Sequence, residues 1–264
     1  MRYMTTKNRA ILREMVSTDF KVRYQGSVLG YMWSLLKPLF LFAILYIVFT
    51  YIIPLGKAVP HYSVYLLLGI VLWNFFTEAT MQGAGSVVAR GDLIRKVSIP
   101  RYLVVIASTL SALINLGLSL VVVIIFALFN GVMPSLEWLL LIPIIAEVIV
   151  LSLGISFLLS ALYVKFRDIT YIWEIFLQAG FYATPIIYPM TQVPEHLHKW
   201  FFLNPMAQLI QDARYVMVTP TQSTLWSSVH NPLVIAVPFL IVLILLAVGA
   251  RYFKTRSAYF AEDI

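Results

Sequence analysis

Six long apolar runs separated by short polar stretches constrain this chain more than any other feature. They extend from Tyr31 to Ile53, Tyr62 to Met81, Tyr102 to Phe129, Leu136 to Tyr163, Ile172 to Tyr188 and Leu233 to Tyr252. Each approaches or exceeds the roughly 20 residues a helix needs to cross a hydrocarbon core about 30 Å thick. Backbone groups in lipid must be satisfied within the segment, and the runs are far longer than barrel strands, so each is predicted to be a helix. The composition agrees: 61% of the 264 residues are hydrophobic and 12% charged, against about 45–50% and about 25% in a soluble domain. The expectation is an all-α, polytopic membrane protein in which residues 1–264 form one membrane domain with six transmembrane helices.

The charges orient it. Nineteen Lys and Arg against twelve Asp and Glu give +7, a balance that in a soluble protein raises the question of nucleic acid. Here the basic residues gather at helix ends. One side carries fifteen: six before the first span (Arg2 to Arg23), Arg90, Arg95, Lys96 and Arg101, then Lys165 and Arg167, then Arg251, Lys254 and Arg256. The other carries Lys57, Lys199 and Arg214, with Lys37 left inside the first span. The positive-inside rule then puts both termini of this multi-pass protein in the cytoplasm, with lipids and no nucleic acid as surroundings. The start MRYMTTKNRAILREM has neither a continuous apolar core nor a small-residue cleavage site, so it is expected to be retained. With no Cys there is no disulfide and no thiol nucleophile.

Two places depart from plain spans. Residues 8–23 have helical periodicity, with Ile11, Leu12, Met15, Val16 and Val22 on one side and Arg13, Glu14, Ser17 and Lys21 on the other. Such a helix suits the cytoplasmic membrane interface, or else packs on the protein; Asp19 interrupts its apolar face and is placed to pair with Arg23. Beyond it, Gly26 and Gly30 allow a tight turn, Tyr31 and Trp33 suit an interface, and Pro38 falls in the first turns of a helix. The second departure, TPIIYPMTQVPEHLHKWFFLNPMAQLIQDARYVM, is broken by Pro185, Pro189, Pro194 and Pro205. Its apolar stretches are too short to cross, so they are expected either to re-enter the outer leaflet as short helices or to lie flat on it.

No Gly-rich loop ending in Lys-Ser/Thr is present, so ATP, if it drives this protein, is bound with Mg on another chain, and this one holds no cofactor. HExxH and GxSxG are absent too, and His61, His196, His198 and His230 have no motif around them. The chain reads as no enzyme. An ionisable group inside a span is costly and marks function by default. Glu147 is the clearest case, facing a conduit or pairing with a neighbouring helix; Glu78 and Glu174 lie nearer span ends. Ser108, Ser111, Asn115 and Ser119, and likewise Ser152, Gly154, Ser156 and Ser160, recur at helical spacing. They serve close helix packing or a sugar-lined path. Aromatic candidates for such a path are Tyr31, Trp33, Trp73, Phe75, Phe76, Phe181, Tyr182 and Tyr188. Arg167 and Asp168 form, with Lys165, a short loop that either caps helix ends or meets a partner.

In KVRYQGSVLGYMWSLLKP (21–38), LIRKVSIPRYL (93–103), SALYVKFRDI (160–169) and TPIIYPMTQVPE…LNPMAQLI (184–210), the chain resembles the ABC-2 type permease subunits that export O-antigens, capsules and wall teichoic acids. The resemblance runs in order along nearly the whole chain. It implies a pair of six-span permeases on a pair of cytoplasmic ATPases, moving a glycan carried on polyprenyl pyrophosphate. It maps an interfacial helix onto residues 8–23 and a hinge onto Arg23, Gly26, Leu29, Gly30, Tyr31 and Trp33. It maps an ATPase-coupling segment onto Leu93, Ile94, Arg95, Lys96, Ile99, Pro100 and Arg101. There Leu93, Ile94, Val97 and Ile99 are expected to form an apolar docking surface, with Arg167 and Asp168 as a second contact. Candidate path residues are Glu78, Glu147, Ser111, Asn115, Phe181 and Tyr182. Two alternatives remain: an exporter of drugs or small lipids, and an ion-coupled secondary transporter using Glu147.

Overall fold

The computed structural model describes residues 6–24, 30, 32–53, 59–96, 99–229 and 231–260, and every regular element among them is helical. In chain order these are α1 (Thr6–Tyr24), α2 (Met32–Ile47, ending in a wider turn over Val48–Ile52), α3 (Tyr62–Ala89), α4 (Gly91–Lys96) and α5 (Tyr102–Phe129). A tight turn over Leu136–Leu140 leads into α6 (Leu141–Lys165), followed by α7 (Ile169–Ala183), α8 (Glu195–Phe201), α9 (Pro205–Met217), α10 (Leu225–Ser228) and α11 (Pro232–Arg256).

Five of these helical stretches are long and apolar enough to cross a membrane: Met32–Ile52, Tyr62–Ala89, Tyr102–Phe129, Leu136–Lys165 and Pro232–Arg256. The fifth predicted span, residues 172–188, is delivered differently. Its helix α7 has 15 residues, about 22 Å, and stops at Ala183 because Pro185 pushes the residue before it out of the helical region; Thr184 has ψ 138°.

α3 is the axis of the bundle. Residues Val64–Leu72 are essentially inaccessible, packed by α2, α5, α6, α7 and α9. That burial is why its sequence is apolar all round rather than striped. α6 and α11 make the closest crossing. A Cβ on Gly249 would come within 2.1 Å of the Gly154 carbonyl oxygen, and one on Gly154 within 2.7 Å of the Leu246 nitrogen, so only hydrogens fit at the contact. Ser156 seats against Gly83 and donates to the Ala79 carbonyl at 3.2 Å. The small-residue row of the fourth span therefore serves helix packing.

α1 turns its apolar face to the protein. Met15 is buried, and Ile11, Leu12 and Val16 pack beside it, in a cluster with Val87, Ile94, Val104, Phe157, Phe253 and Phe260. Asp19 pairs with Arg90 at the end of α3 and accepts a hydrogen bond from Ser111 Oγ at 3.4 Å; the side chain of Arg23, the partner expected from the sequence spacing, lies outside the described residues. The long-range partner is a guanidinium brought over by the fold.

The proline-broken segment separates into two parts. α8 buries no residue, whereas α9 buries ten of its thirteen and lies among α3, α6 and α11. α9 therefore does not lie flat on the bundle. Asn204 starts it, accepting from the Met206 amide at 3.0 Å and donating to Thr184 Oγ1 at 3.0 Å, with Pro205 in the first turn.

Candidate functional site

A cavity of about 840 Å³ opens between α2, α3 and α5 in the half of the bundle nearest α4. α2 contributes Trp33, Ser34, Lys37, Pro38 and Leu41; α3 contributes Asn74, Thr77, Glu78 and Gln82; α5 contributes Asn115. Seven of these ten are polar or charged. On α3 the spacing 74, 77, 78, 82 is one helix face, and on α2 the residues 33, 34, 37, 38 and 41 form the facing one.

Two walls are cross-linked at the carboxylate. Glu78 Oε1 accepts from Gln82 Nε2 at 2.8 Å and from Asn115 Nδ2 at 2.6 Å. A carboxylate only accepts, so the Asn115 amide must present its NH₂ to Glu78 and its oxygen elsewhere. That oxygen is buried without a hydrogen-bond partner, and so is Thr77 Oγ1. The chemistry on offer is hydrogen bonding to a polar ligand, with one aromatic ring, Trp33, 40% exposed at the edge. Lys37, which fitted no loop in the sequence, lines this cavity.

The other predicted path residues lie elsewhere. Ser111 is buried and serves the α1 contact, donating to Asp19 and to the Ala107 carbonyl. Glu147 faces Gln208 and Asp212 of α9, and Gln208 Nε2 donates to Asp212 Oδ2 at 2.7 Å. It belongs to the α6–α9 contact, not to the cavity. Phe181 stacks edge-on against Trp73 (6.2 Å), and Tyr182 is exposed on the outer side of α7. Trp73, Phe76 and Trp173 form the aromatic seam that docks α7 on α3, fastened by Trp173 Nε1 donating to Thr80 Oγ1 at 3.0 Å. Of the eight aromatic candidates, Trp33 alone among the described residues lines the cavity.

The hinge residues Gly26, Leu29 and Tyr31 and the Arg23 side chain lie outside the described residues. Gly30 adopts φ +46°, a left-handed turn immediately before α2, and its carbonyl accepts from the Trp33 amide at 3.3 Å. The cavity thus begins at the hinge itself, whose Trp33 lines it.

The expected docking surface is narrower than the sequence suggested. Ile94 is buried in the α1 cluster, Ile99 packs against the same cluster, and Val97 lies outside the described residues. Helix formation over Gly91–Lys96 turns Ile94 inward and leaves Leu93, Arg95 and Lys96 exposed. Pro100 is half-buried, and its carbonyl accepts from the Leu103 amide as α5 begins. Arg101 is committed to its own chain, donating to the Ser257 carbonyl past α11. Arg167 and Asp168 are exposed; Arg167 lies over the Tyr163 ring, and Asp168 precedes α7 without a side-chain cap.

Sequence reading missed Arg214, which it counted as a loop cation. It is fully buried. Its Nη1 and Nη2 donate to the Pro185 and Ile186 carbonyls at 2.6 and 2.7 Å, its Nε donates to the Tyr65 carbonyl at 3.0 Å, and its guanidinium sits 3.4 Å from the Tyr65 ring centroid. Tyr62 and Tyr65 hydroxyls donate to the next two carbonyls, Ile187 and Tyr188, at 2.8 and 3.3 Å. Four consecutive non-helical carbonyls are therefore satisfied by side chains, as backbone at membrane depth requires. The only sequence signal was a basic residue three positions before the end of a short helix that also carries Gln208, Gln211 and Asp212.

An all-helical bundle with membrane-length helices, an inserted short helix and a polar cavity between its helices defines the membrane domain of a transporter. The chain belongs to the ABC-2 type transporter family, whose family model matches residues 12–218. It is 30% identical over 253 residues to the O-antigen export system permease protein RfbA of Klebsiella pneumoniae, covering 96% of this chain and 94% of that protein. It is 26% identical over 262 residues to RfbA of Myxococcus xanthus, covering 97% and 96%. With the polysialic acid transport protein KpsM of Escherichia coli it shares 22% identity over 204 residues, 74% of this chain and 76% of that one.

Proposed function

We propose that this chain is the permease subunit of an ATP-driven exporter that carries a polyprenyl-linked polysaccharide across the bacterial cytoplasmic membrane, as two permeases on two ATPase subunits. The observation that carries this reading is a cavity between membrane-length helices with seven polar or charged residues in its lining, bounded by the helix that follows the hinge. Similarity to export permeases along almost the whole chain supports the same cargo class. ATP and Mg belong to the partner, since this sequence has no phosphate-binding loop. Leu93, Arg95 and Lys96 on α4 meet that partner, and Arg167 and Asp168 flank the contact. The concentration of basic residues at the α4 end supports cytoplasmic termini.

Movement of α4 reaches the cavity through α1, because Arg90, which leads into α4, grips both Asp19 of α1 and the Val104 carbonyl of α5. α1 runs directly into the hinge and α2. A drug or small-lipid cargo is less well supported, because relatives similar along almost the whole chain are O-antigen export permeases, and an ion-coupled mechanism at Glu147 is disfavoured by its position in a helix contact away from the cavity. Deleting the chromosomal copy tests the proposal: the surface polymer should disappear while lipid-linked polymer accumulates inside. Normal surface polymer in the deletion strain would overturn it.

A further inference from the structure

The contact between α6 and α9 brings two carboxyl groups together and no cation. Glu147 of α6 faces Gln208 and Asp212 of α9, and both carboxyl residues are half-buried. Gln208 Nε2 donates to Asp212 Oδ2 at 2.7 Å. Three acceptors remain, Glu147 Oε1, Asp212 Oδ1 and Gln208 Oε1, each sealed from water and without a donor. Gln211, fully buried next to Asp212 in sequence, leaves both ends of its amide unpaired. It adds one donor and one acceptor, so the surplus of acceptors stands. Buried acceptors without donors are costly, and native structures hold few of them.

No neighbouring element supplies a positive charge. Arg214, on α9 itself, spends its guanidinium on three main-chain carbonyls. α3 brings Tyr62 and Tyr65, whose hydroxyls donate to the Ile187 and Tyr188 carbonyls. α11 has no charged residue from Pro232 to Gly249, and the turn over Leu136–Leu140 brings only Glu137, which is exposed and of the same sign. Among the described residues neither Glu147 nor Asp212 forms an ion pair. Two carboxylates left charged here would repel each other with nothing to compensate them. A metal ion needs several oxygens arranged around an open space, and these oxygens have no open surface. A proton needs no space, cancels one charge and turns one surplus acceptor into a donor.

We propose that Glu147 and Asp212 bind one proton between them, a resident proton that fastens α9 to α6. It belongs to the pair rather than to either residue. This proton is not cargo and drives nothing; it holds the inserted helix in place. Both residues keep part of their surface, through which the proton exchanges, so the strength of the contact follows pH. The folded protein then holds a proton that the unfolded chain releases above the ordinary carboxylate range of about 4. More protons are bound in the folded state, so this contribution to stability falls as pH rises.

The full chain, purified in detergent, is melted between about pH 6 and about pH 9 as wild type, Asp212→Asn, Glu147→Gln and the double variant. The wild-type melting temperature should drop by several degrees across that range. Each single variant removes the like charge and supplies an amide donor, so each should lose most of this dependence, and the double variant should add little. A pH dependence as steep in both single variants as in the wild type would overturn the proposal. So would a rise in wild-type melting temperature on adding calcium that both single variants lose, because a metal ion would then occupy the site. Infrared spectra of the wild type in lipid at neutral pH need no variant to fold. They should contain a protonated-carboxyl C=O band that shifts in D₂O, and absence of that band would overturn the proposal.

Discussion

At the residue scale, the most demanding position is Arg214. A buried guanidinium usually implies a buried carboxylate, yet its hydrogen-bond acceptors here are three main-chain carbonyls, with the face of Tyr65 beneath it. The arrangement works because the chain between α7 and α8 has left the helix and needs donors as badly as the cation needs acceptors. Gly69 makes room for it: a Cβ there would lie 2.4 Å from Arg214 Nη2. Hydrogen bonds to a charged group contribute roughly 1.5–3 kcal/mol each. Arg214→Met is therefore expected to cost about 3 kcal/mol or more, lowering the melting temperature in detergent by roughly 6–12 °C. Gly69→Ala should destabilise in the same direction. A melting temperature unchanged in Arg214→Met would show that the carbonyls find other donors.

At the scale of elements, the short pieces between the spans do the connecting. α4 is anchored at both sides by arginines, Arg90 to α1 and α5, and Arg101 to the chain beyond α11. An isolated six-residue helix is marginal in water, so these anchors and Ile94 hold it in shape. The Asp19–Arg90 pair is partly exposed, which limits its static contribution. Its importance lies in joining α1 to α4. In a double-mutant cycle, Asp19→Asn and Arg90→Gln should each speed amide exchange along α1, and the two together should do little more than either alone, with a coupling of about 0.5–2 kcal/mol. Strictly additive effects would mean that the pair does not couple the two helices.

At the scale of the whole molecule, the bundle is lopsided. α3 is sheathed on all sides, while α2 buries only Phe42 and α7 only Leu177. α7 also exposes Glu174 among Ile172, Ile175 and Phe176. A bare carboxylate against lipid costs about 2.5 kcal/mol or more near a helix centre, which favours protein or water over lipid on that face. With α2 flanking the cavity beside it, this side suits a second permease. Single cysteines at Ile44 or Ile175 should therefore cross-link chain to chain in native membranes, whereas one at Leu66, fully buried within α3, should not. Cross-linking at Ile125 of α5 but at neither of the first two would place the second copy on another side.

The patterning of apolar residues over some twenty positions determined the helices and the membrane, because burial in lipid is decided segment by segment and needs no knowledge of neighbours. Glu78 and Asn115 were legible as polar groups in apolar runs for the same reason. Tertiary structure alone decided what those groups face. Glu147 looked as conduit-like as Glu78, but its neighbours come from α9, some sixty residues on. Ile94 looked like a docking residue until α4 turned it inward, and Arg214 looked like a loop charge until the proline break supplied carbonyls for it. Composition and periodicity are local quantities, whereas a hydrogen-bond partner or a cavity wall depends on which distant helix arrives beside it.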